Sequence, residues 1–136
     1  LAYAESAKEA WGADGSGVYS FAARNLIGVS RSRAGIQQPD EYLASIPTGE
    51  AGKGAMRQLI RNERRLELCF EGFRFWDLRR WKEKLDEPAK GVRIQNGVHT
   101  PLNNIENRTY ADYMHYGPIP YSEVQKFNQL QQNKGW

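Results

Sequence analysis

The stretch RNERRLELCFEGFRFWDLRRWKEK, residues 61–84, constrains the fold of this chain more than any other. It is densely charged, yet together with the residues just before it, it has the apolar spacing of a buried helix. On a helical projection one broad arc collects Met56, Leu59, Ile60, Leu66, Phe70 and Phe73. The charged residues on or beside that arc are Glu63, Glu67, Glu71, Arg74 and Asp77. Ionised groups on an apolar face are costly unless they pair, so the pattern predicts a half-buried ion network.

Pairs at i,i+3 spacing would join Glu71 to Arg74 and Arg74 to Asp77 within this network. Arg74→Ala is therefore expected to destabilise the protein strongly, since it would leave buried carboxylates unpaired. The single cysteine, Cys69, falls between Leu68 and Phe70, and this position predicts a buried or half-buried thiol.

The first 36 residues predict a helical hairpin. Residues 1–11 are alanine-rich with helical apolar spacing, and Gly-Ala-Asp-Gly at 12–15 ends that helix. Ser16 is a candidate N-cap for a second helix over 17–33, which Gly35 would close. Its predicted apolar stripe is Tyr19, Ala22, Ala23, Leu26 and Val29. Small residues on both helices favour the close, tetratricopeptide-like packing of an αα-hairpin.

The remaining segments are a loop, a signature helical region and an extended region. Residues 37–54 predict a polar loop with a helical turn near 40–44, and the signature helices span 55–85. One long helix is expected to run from about residue 55 to at least 71, with Gly72 as a bend. The region 91–136 begins with a hairpin, in which Asn96-Gly97 indicates a type I′ turn and a polar loop follows at 103–108. A short closing helix capped by Ser122 should run to about 131, and the fold class is thus mainly α.

Composition excludes several classes of protein. A chain of 136 residues is one domain's worth, and its net charge of +3 is too mild to predict a nucleic-acid partner. One cysteine excludes a disulfide or a cysteine-based zinc site within the chain. His99 and His115 lack helical ligand spacing, and no phosphate-binding glycine loop is present, so neither a metal nor another cofactor is predicted. No apolar run approaches the roughly 18 residues of a membrane span.

The carboxylates favour a structural role over a catalytic one. A glycosidase needs two carboxyl groups across a cleft, one of which must hold a proton. Glu63, Glu67 and Glu71 instead lie one turn apart, and arginines close by in sequence favour their ionised forms. No catalytic residue and no enzyme activity are therefore predicted.

Ligand binding is better supported than catalysis, because aromatic residues make up 12% of the chain and many cluster near its end. Sugar rings stack on aromatic faces, while amides and carboxylates take their hydroxyls. The candidate ligand-contacting residues are Tyr110, Tyr113, His115, Tyr116 and Trp76. The alternative is that these rings only pack the extended segment onto the helices.

Three blocks of sequence carry a resemblance to a known family. ERRLELCFEGFRFWDLRRW (63–81) resembles the C-terminal signature of the SusD/RagB family, and GPIPYSEVQKFNQLQQNKGW (117–136) resembles its closing block. LAYAESAKEAWG (1–12) with VSRSRAGI (29–36) is similar to the family's helix pair and Arg-x-Arg-Ala-Gly turn. The motif residues that match are Glu63, Arg64, Glu67, Glu71, Gly72, Arg74, Asp77, Leu78, Arg80, Trp81, Pro118, Pro120, Asn133 and Gly135. The resemblance implies that these residues are scaffold.

The resemblance implies a function as well as a fold. Residues 1–136 would be the C-terminal part of a longer nutrient-binding lipoprotein exposed on the outer-membrane surface of Bacteroidetes, whose lipid anchor lies outside this chain. Its partners would be an oligosaccharide or peptide ligand and a SusC-like TonB-dependent transporter. Glycan-contacting residues would lie largely in segments before this block. Two alternatives stay open: a helical protein- or peptide-interaction module, and a glycoside hydrolase.

Overall fold

Six α-helices, two 3-10 helices and one two-stranded antiparallel sheet follow one another along the chain. The computed structural model describes all residues, 1–136, and divides them into two compact units, residues 1–74 (unit 1) and 75–136 (unit 2). The predicted class, mainly α-helical with a small β-hairpin, is confirmed. None of the helices is both long and apolar enough to span a membrane.

Unit 1 is a helical unit with a small apolar core. It contains α1 (Ala2–Trp11), α2 (Ala23–Arg33), α3 (Glu41–Ser45), a 3-10 helix (Gly49–Gly52) and α4 (Lys53–Glu67). The core consists of Ala4, Ala7, Ala13, Ala23, Ile27, Leu43, Ile46, Met56, Leu59 and Ile60. Alanines on α1 and α2 contribute little side-chain bulk, so these two helices approach closely, as the predicted hairpin requires.

The second helix starts later than its sequence pattern predicts. It begins at Ala23 rather than at 17, Ser16 does not cap it, and Tyr19 and Val29 of its expected apolar stripe are exposed. Ser20 has a left-handed backbone, with φ 55°, which no helix continues through.

The predicted long helix is also shorter than expected. It ends at Glu67, and residues 68–72 form turns in which Phe70 (φ 66°) and Gly72 (φ 77°) are left-handed. The chain after residue 67 therefore leaves the buried arc of α4. As a result Phe70 and Phe73, predicted to be buried there, are exposed, and Cys69 is exposed as well. Leu66, which belongs to α4 itself, is also exposed, so its predicted burial is wrong too.

Unit 2 takes in nearly all of α5 (Phe73–Arg80) and is otherwise built on a hairpin and short turns. The hairpin pairs β1 (Ala89–Gln95) with β2 (Val98–Glu106), and a 3-10 helix (Asp112–His115) and α6 (Tyr121–Lys126) follow. Asn96 and Gly97 both have positive φ, 51° and 76°, as a type I′ turn demands, so that prediction is confirmed.

Two predicted boundaries in unit 2 are wrong. The strand β2 continues to Glu106, where a loop over 103–108 was expected. Pro101 does not interrupt it, because both strands of a two-stranded sheet are edge strands, in which a residue without a backbone N–H is tolerated. The closing helix α6 ends at Lys126 rather than near 131, and its N-cap residue is Pro120 rather than Ser122.

Candidate functional site

The five charged residues of the predicted ion network do not share one environment. Glu63 and Asp77 are buried and Glu67 is half-buried, whereas Glu71 and Arg74 are exposed. The expected half-buried position is therefore wrong for Glu71 and Arg74. The buried carboxylate of Glu63 is paired with a different cation.

That cation comes from a different helix. Arg31 of α2 donates from Nη1 to Oε1 of Glu63 over 2.7 Å, and it also pairs with Asp40. The side chains of Arg31, Asp40 and Glu63 are only 13%, 4% and 5% exposed. The Arg31 guanidinium lowers the pKa of Asp40, and the backbone N–H of Leu43, which Asp40 caps at 3.1 Å, acts in the same direction. One arginine thus pairs with two buried carboxylates and ties α2 to α4.

Further ion pairs hold the helices of unit 1. Arg33 pairs with Glu67, and Arg57 makes two 2.7 Å hydrogen bonds to Glu9, which lower the pKa of Glu9 to about 2. Arg24 pairs with Asp14 and also donates to the carbonyls of Ile46 and Pro47, at 2.8 and 3.0 Å. The arginines therefore fasten the loop and the helices together, and their carboxylate partners have a structural role.

Unit 2 contains an open aromatic cavity of about 620 Å³, which we call the α5 cavity. Its lining residues are Phe75, Trp76, Arg79, Arg80, Met114, His115, Tyr116, Gly117, Pro118 and Trp136. A volume of this size lies within the range of about 300–1,000 Å³ that small-molecule sites occupy. The structure therefore offers a concave site on α5 and on the segment after the second 3-10 helix.

The structure brings all five sequence-predicted aromatic candidates to this cavity or next to it. Trp76, His115 and Tyr116 line it. Behind them, the Tyr110 ring lies edge-on to His115 at 5.2 Å, and the Tyr113 ring lies edge-on to Trp136 at 5.1 Å. Their contact with a ligand stays a prediction.

The C-terminal residues are fastened to the cavity wall by specific hydrogen bonds. Trp136 donates from Nε1 to the carbonyl of Tyr116 at 2.9 Å, and Asn133 donates to the carbonyl of Gly117 at 2.7 Å. Gly135 has φ 100°, and a Cβ there would lie 2.4 Å from Cγ of Tyr113. Only glycine fits at that position, and this explains why glycine precedes the final aromatic residue of the closing block.

Polar groups in and around the cavity are of two kinds. Arg79 lies 3.4 Å above the centre of the Phe75 ring and donates to the Phe75 carbonyl at 3.2 Å, while Arg80 pairs with Asp77 at 2.9 Å. Nδ1 of His115 and the hydroxyl of Tyr110 are buried and make no hydrogen bond. Burial, with the nearby charge of Asp112, raises the pKa of Tyr110. The cavity thus combines aromatic faces, guanidinium donors and buried polar atoms without partners.

Sequence reasoning missed several residues of the site. Arg79 lies three positions after Trp76, so helical spacing places both on one side of α5, and that spacing could have revealed it. Trp136 belongs to the closing block, but nothing in the sequence shows which ring it meets. No group of three or more His, Cys, Asp or Glu side chains is placed to hold a metal ion.

Comparison with known proteins gives a matching family, a similar solved structure and one negative result. A model of the SusD family matches residues 1–136. The chain also resembles the crystal structure of a SusD-like protein from Bacteroides fragilis, with 29% identity and a TM-score of 0.68 over 98% of this chain. The match spans only 23% of the Bacteroides fragilis chain. No curated protein matches.

Proposed function

Because the chain belongs to the SusD family, we propose that it is part of a cell-surface protein that captures glycans or other nutrients without altering them. The observation that carries this proposal is the match of the family model over residues 1–136. The similarity in fold to the SusD-like protein of Bacteroides fragilis supports it.

The same proposal includes the setting in which the chain works. Residues 1–136 would form the C-terminal part of a longer lipoprotein on the outer-membrane surface, since they correspond to 23% of the Bacteroides fragilis chain. Its partner would be a SusC-like TonB-dependent transporter that accepts the captured nutrient.

Within that protein we assign unit 1 the role of scaffold. Its carboxylates on α4 face arginines of α2, with Glu63 held by Arg31 and Glu67 by Arg33. The buried pair of Arg31 with Glu63 joins the two helices, and both carboxylates are held by cations that favour their ionised forms. These carboxylates therefore suit a structural role better than that of a proton donor.

Calorimetric titration of the full-length protein with a panel of plant, host and microbial glycans tests the proposal. A capture protein gives heat that saturates, and the recovered glycan has its original length. Heat that continues after each injection, together with shortened products, would replace the proposal with a hydrolase. If no glycan of the panel gives a heat of binding, glycan capture is contradicted and peptides become the next ligands to test.

A further inference from the structure

The α5 cavity presents aromatic surface that residues 1–136 leave exposed. Trp76 and Tyr116 are about two-thirds exposed, at 66% and 60%, and both line the cavity. The indole N–H of Trp136 is already bonded to the Tyr116 carbonyl, so this residue offers a ligand only its ring. Flat aromatic surfaces in a concave site fit a sugar ring, whose C–H face is apolar.

One guanidinium of the cavity has no carboxylate partner. Arg80 is paired with Asp77, which is buried, whereas the only side-chain hydrogen bond of Arg79 goes to a backbone carbonyl. A guanidinium has five N–H donors and binds a planar carboxylate through two parallel hydrogen bonds. Because Arg79 is stacked on Phe75, its guanidinium is already oriented, and less entropy is lost when an anion binds.

The buried polar atoms beside the cavity are not available to a ligand. Nδ1 of His115, which lines the cavity, and the hydroxyl of Tyr110 are both buried, so a ligand in the cavity meets neither atom. The guanidinium of Arg79 is therefore the group that selects among ligands, because a neutral apolar ligand would leave it without an anionic partner.

We propose that the α5 cavity binds a sugar residue that carries a carboxylate, as the uronic acids of acidic glycans do. Trp76 and Trp136 supply the aromatic surface, and Arg79 binds the carboxylate. This inference rests on the proposed function and narrows it to one class of ligand and one site.

A matched pair of ligands tests the charge directly. Titration of the full-length protein with trigalacturonic acid and with galactotriose compares two sugars that differ mainly in their carboxylates. We expect the acidic trisaccharide to bind at least tenfold more tightly at low salt, and we expect this preference to shrink at high salt because ions screen the attraction. Equal affinity for the two sugars would overturn the inference.

Substitutions then locate the site. Arg79→Gln should weaken binding of trigalacturonic acid by roughly tenfold to a hundredfold, which is the range for loss of a charge-assisted hydrogen bond. The affinity of the Arg79→Lys variant should lie between those of the wild type and of Arg79→Gln, since lysine keeps the charge but lacks the planar guanidinium. Trp76→Ala should weaken binding of both trisaccharides. The matched controls are Arg93→Gln and Phe127→Ala, exposed residues of unit 2 outside the cavity.

The results separate this inference from the proposed function. If glycans bind but Arg79→Gln and Trp76→Ala change nothing, capture stands and the site assignment is wrong. If no glycan binds at all, both are wrong. A cavity covered by other parts of the protein would also overturn the inference, and labelling shows this: in a Cys69→Ser background, Trp76→Cys would then fail to react with a maleimide in the natively folded full-length protein.

Discussion

The two units of the chain are built on opposite principles. Every buried hydrophobic residue lies in unit 1, between Ala4 and Ile60, whereas the one buried residue of unit 2 is the charged Asp77. Unit 2 is held by a β-ladder, by hydrogen bonds from its C-terminal residues and by ring contacts, and its large aromatic residues are mostly exposed. This difference supports the proposal that unit 1 is a scaffold and that unit 2 carries the surface for recognition.

The largest expected effect concerns the cation of unit 1. Arg31→Ala leaves Asp40 and Glu63 buried without a countercharge and should lower the free energy of unfolding by about 3–5 kcal/mol. Arg33→Ala on the same helix is the matched control, because Arg33 is 70% exposed and its pair with Glu67 should contribute only about 0–1 kcal/mol. Urea unfolding of both variants measures the difference. Equal losses would mean that the buried pairs are not what holds α2 to α4.

The next prediction compares the same substitution in the two units. Ile60→Ala removes a fully buried side chain from the core of unit 1 and should cost about 2–5 kcal/mol. Ile94→Ala in the hairpin removes a side chain that is largely exposed and should cost less than about 0.5 kcal/mol. Chemical denaturation checks both values. A loss of several kcal/mol at Ile94 would show that another part of the full-length protein buries the hairpin.

Substitution of two glycines by alanine should give smaller changes in stability, with opposite signs in the two units. Gly97→Ala places a side chain at φ 76° in the hairpin turn and should destabilise unit 2 by about 1–2 kcal/mol. Gly54→Ala, in the first turn of α4 where nothing lies within 4 Å of a new Cβ, should stabilise unit 1 by about 0.4–1 kcal/mol. Amide exchange in the two segments reports each change, and the same sign at both sites would contradict the turn assignment.

The two units should also respond to opposite ends of the pH scale. In unit 1 the pKa of Glu9 is lowered from 4.5 to about 2, and that of Asp40 is lowered from 3.8. Their contribution to stability is complete above these unfolded-state values and is lost as the pH falls toward 2. In unit 2 the pKa of Tyr110 is raised above 10.0, so its contribution is present below pH 10 and is lost as the pH rises.

The variant Tyr110→Phe isolates the alkaline part of this prediction. Its stability at pH 7 should be unchanged or slightly higher, because the Tyr110 hydroxyl makes no hydrogen bond, and its loss of stability above pH 10 should be smaller than that of the wild type. Tyr121→Phe, at an exposed position, is the control. Melting temperatures measured from pH 7 to 11 test this prediction. Identical losses of stability above pH 10 for the wild type and Tyr110→Phe would refute it.

Local signals in the sequence were enough to predict α1, the turn at α3 and the hairpin at Asn96-Gly97, because caps, glycines and turn residues act over a few positions. The start of α2 and the end of α4 were missed because non-glycine residues, Ser20 and Phe70, adopt left-handed backbone there. Residue propensities for helix or turn do not predict such positions, since the left-handed conformation is set by the surrounding packing.

The site was predictable only in part, for a similar reason. Aromatic composition indicated the right neighbourhood for a cavity, but its cation, Arg79, was hidden in a run of basic residues at the end of a helix. The partner of Glu63 was missed because Arg31 lies 32 positions away, and helical spacing rules consider only neighbours three or four positions apart.

The central claim is that unit 1 provides packing and that unit 2 provides recognition. Hydrogen exchange of the full-length protein, with and without saturating trigalacturonic acid, tests it most directly. We predict the slowest exchange in α1, α2 and α4, and ligand-induced protection confined to residues 75–80 and 113–118. Ligand-induced protection in unit 1 with none around the α5 cavity would contradict the account.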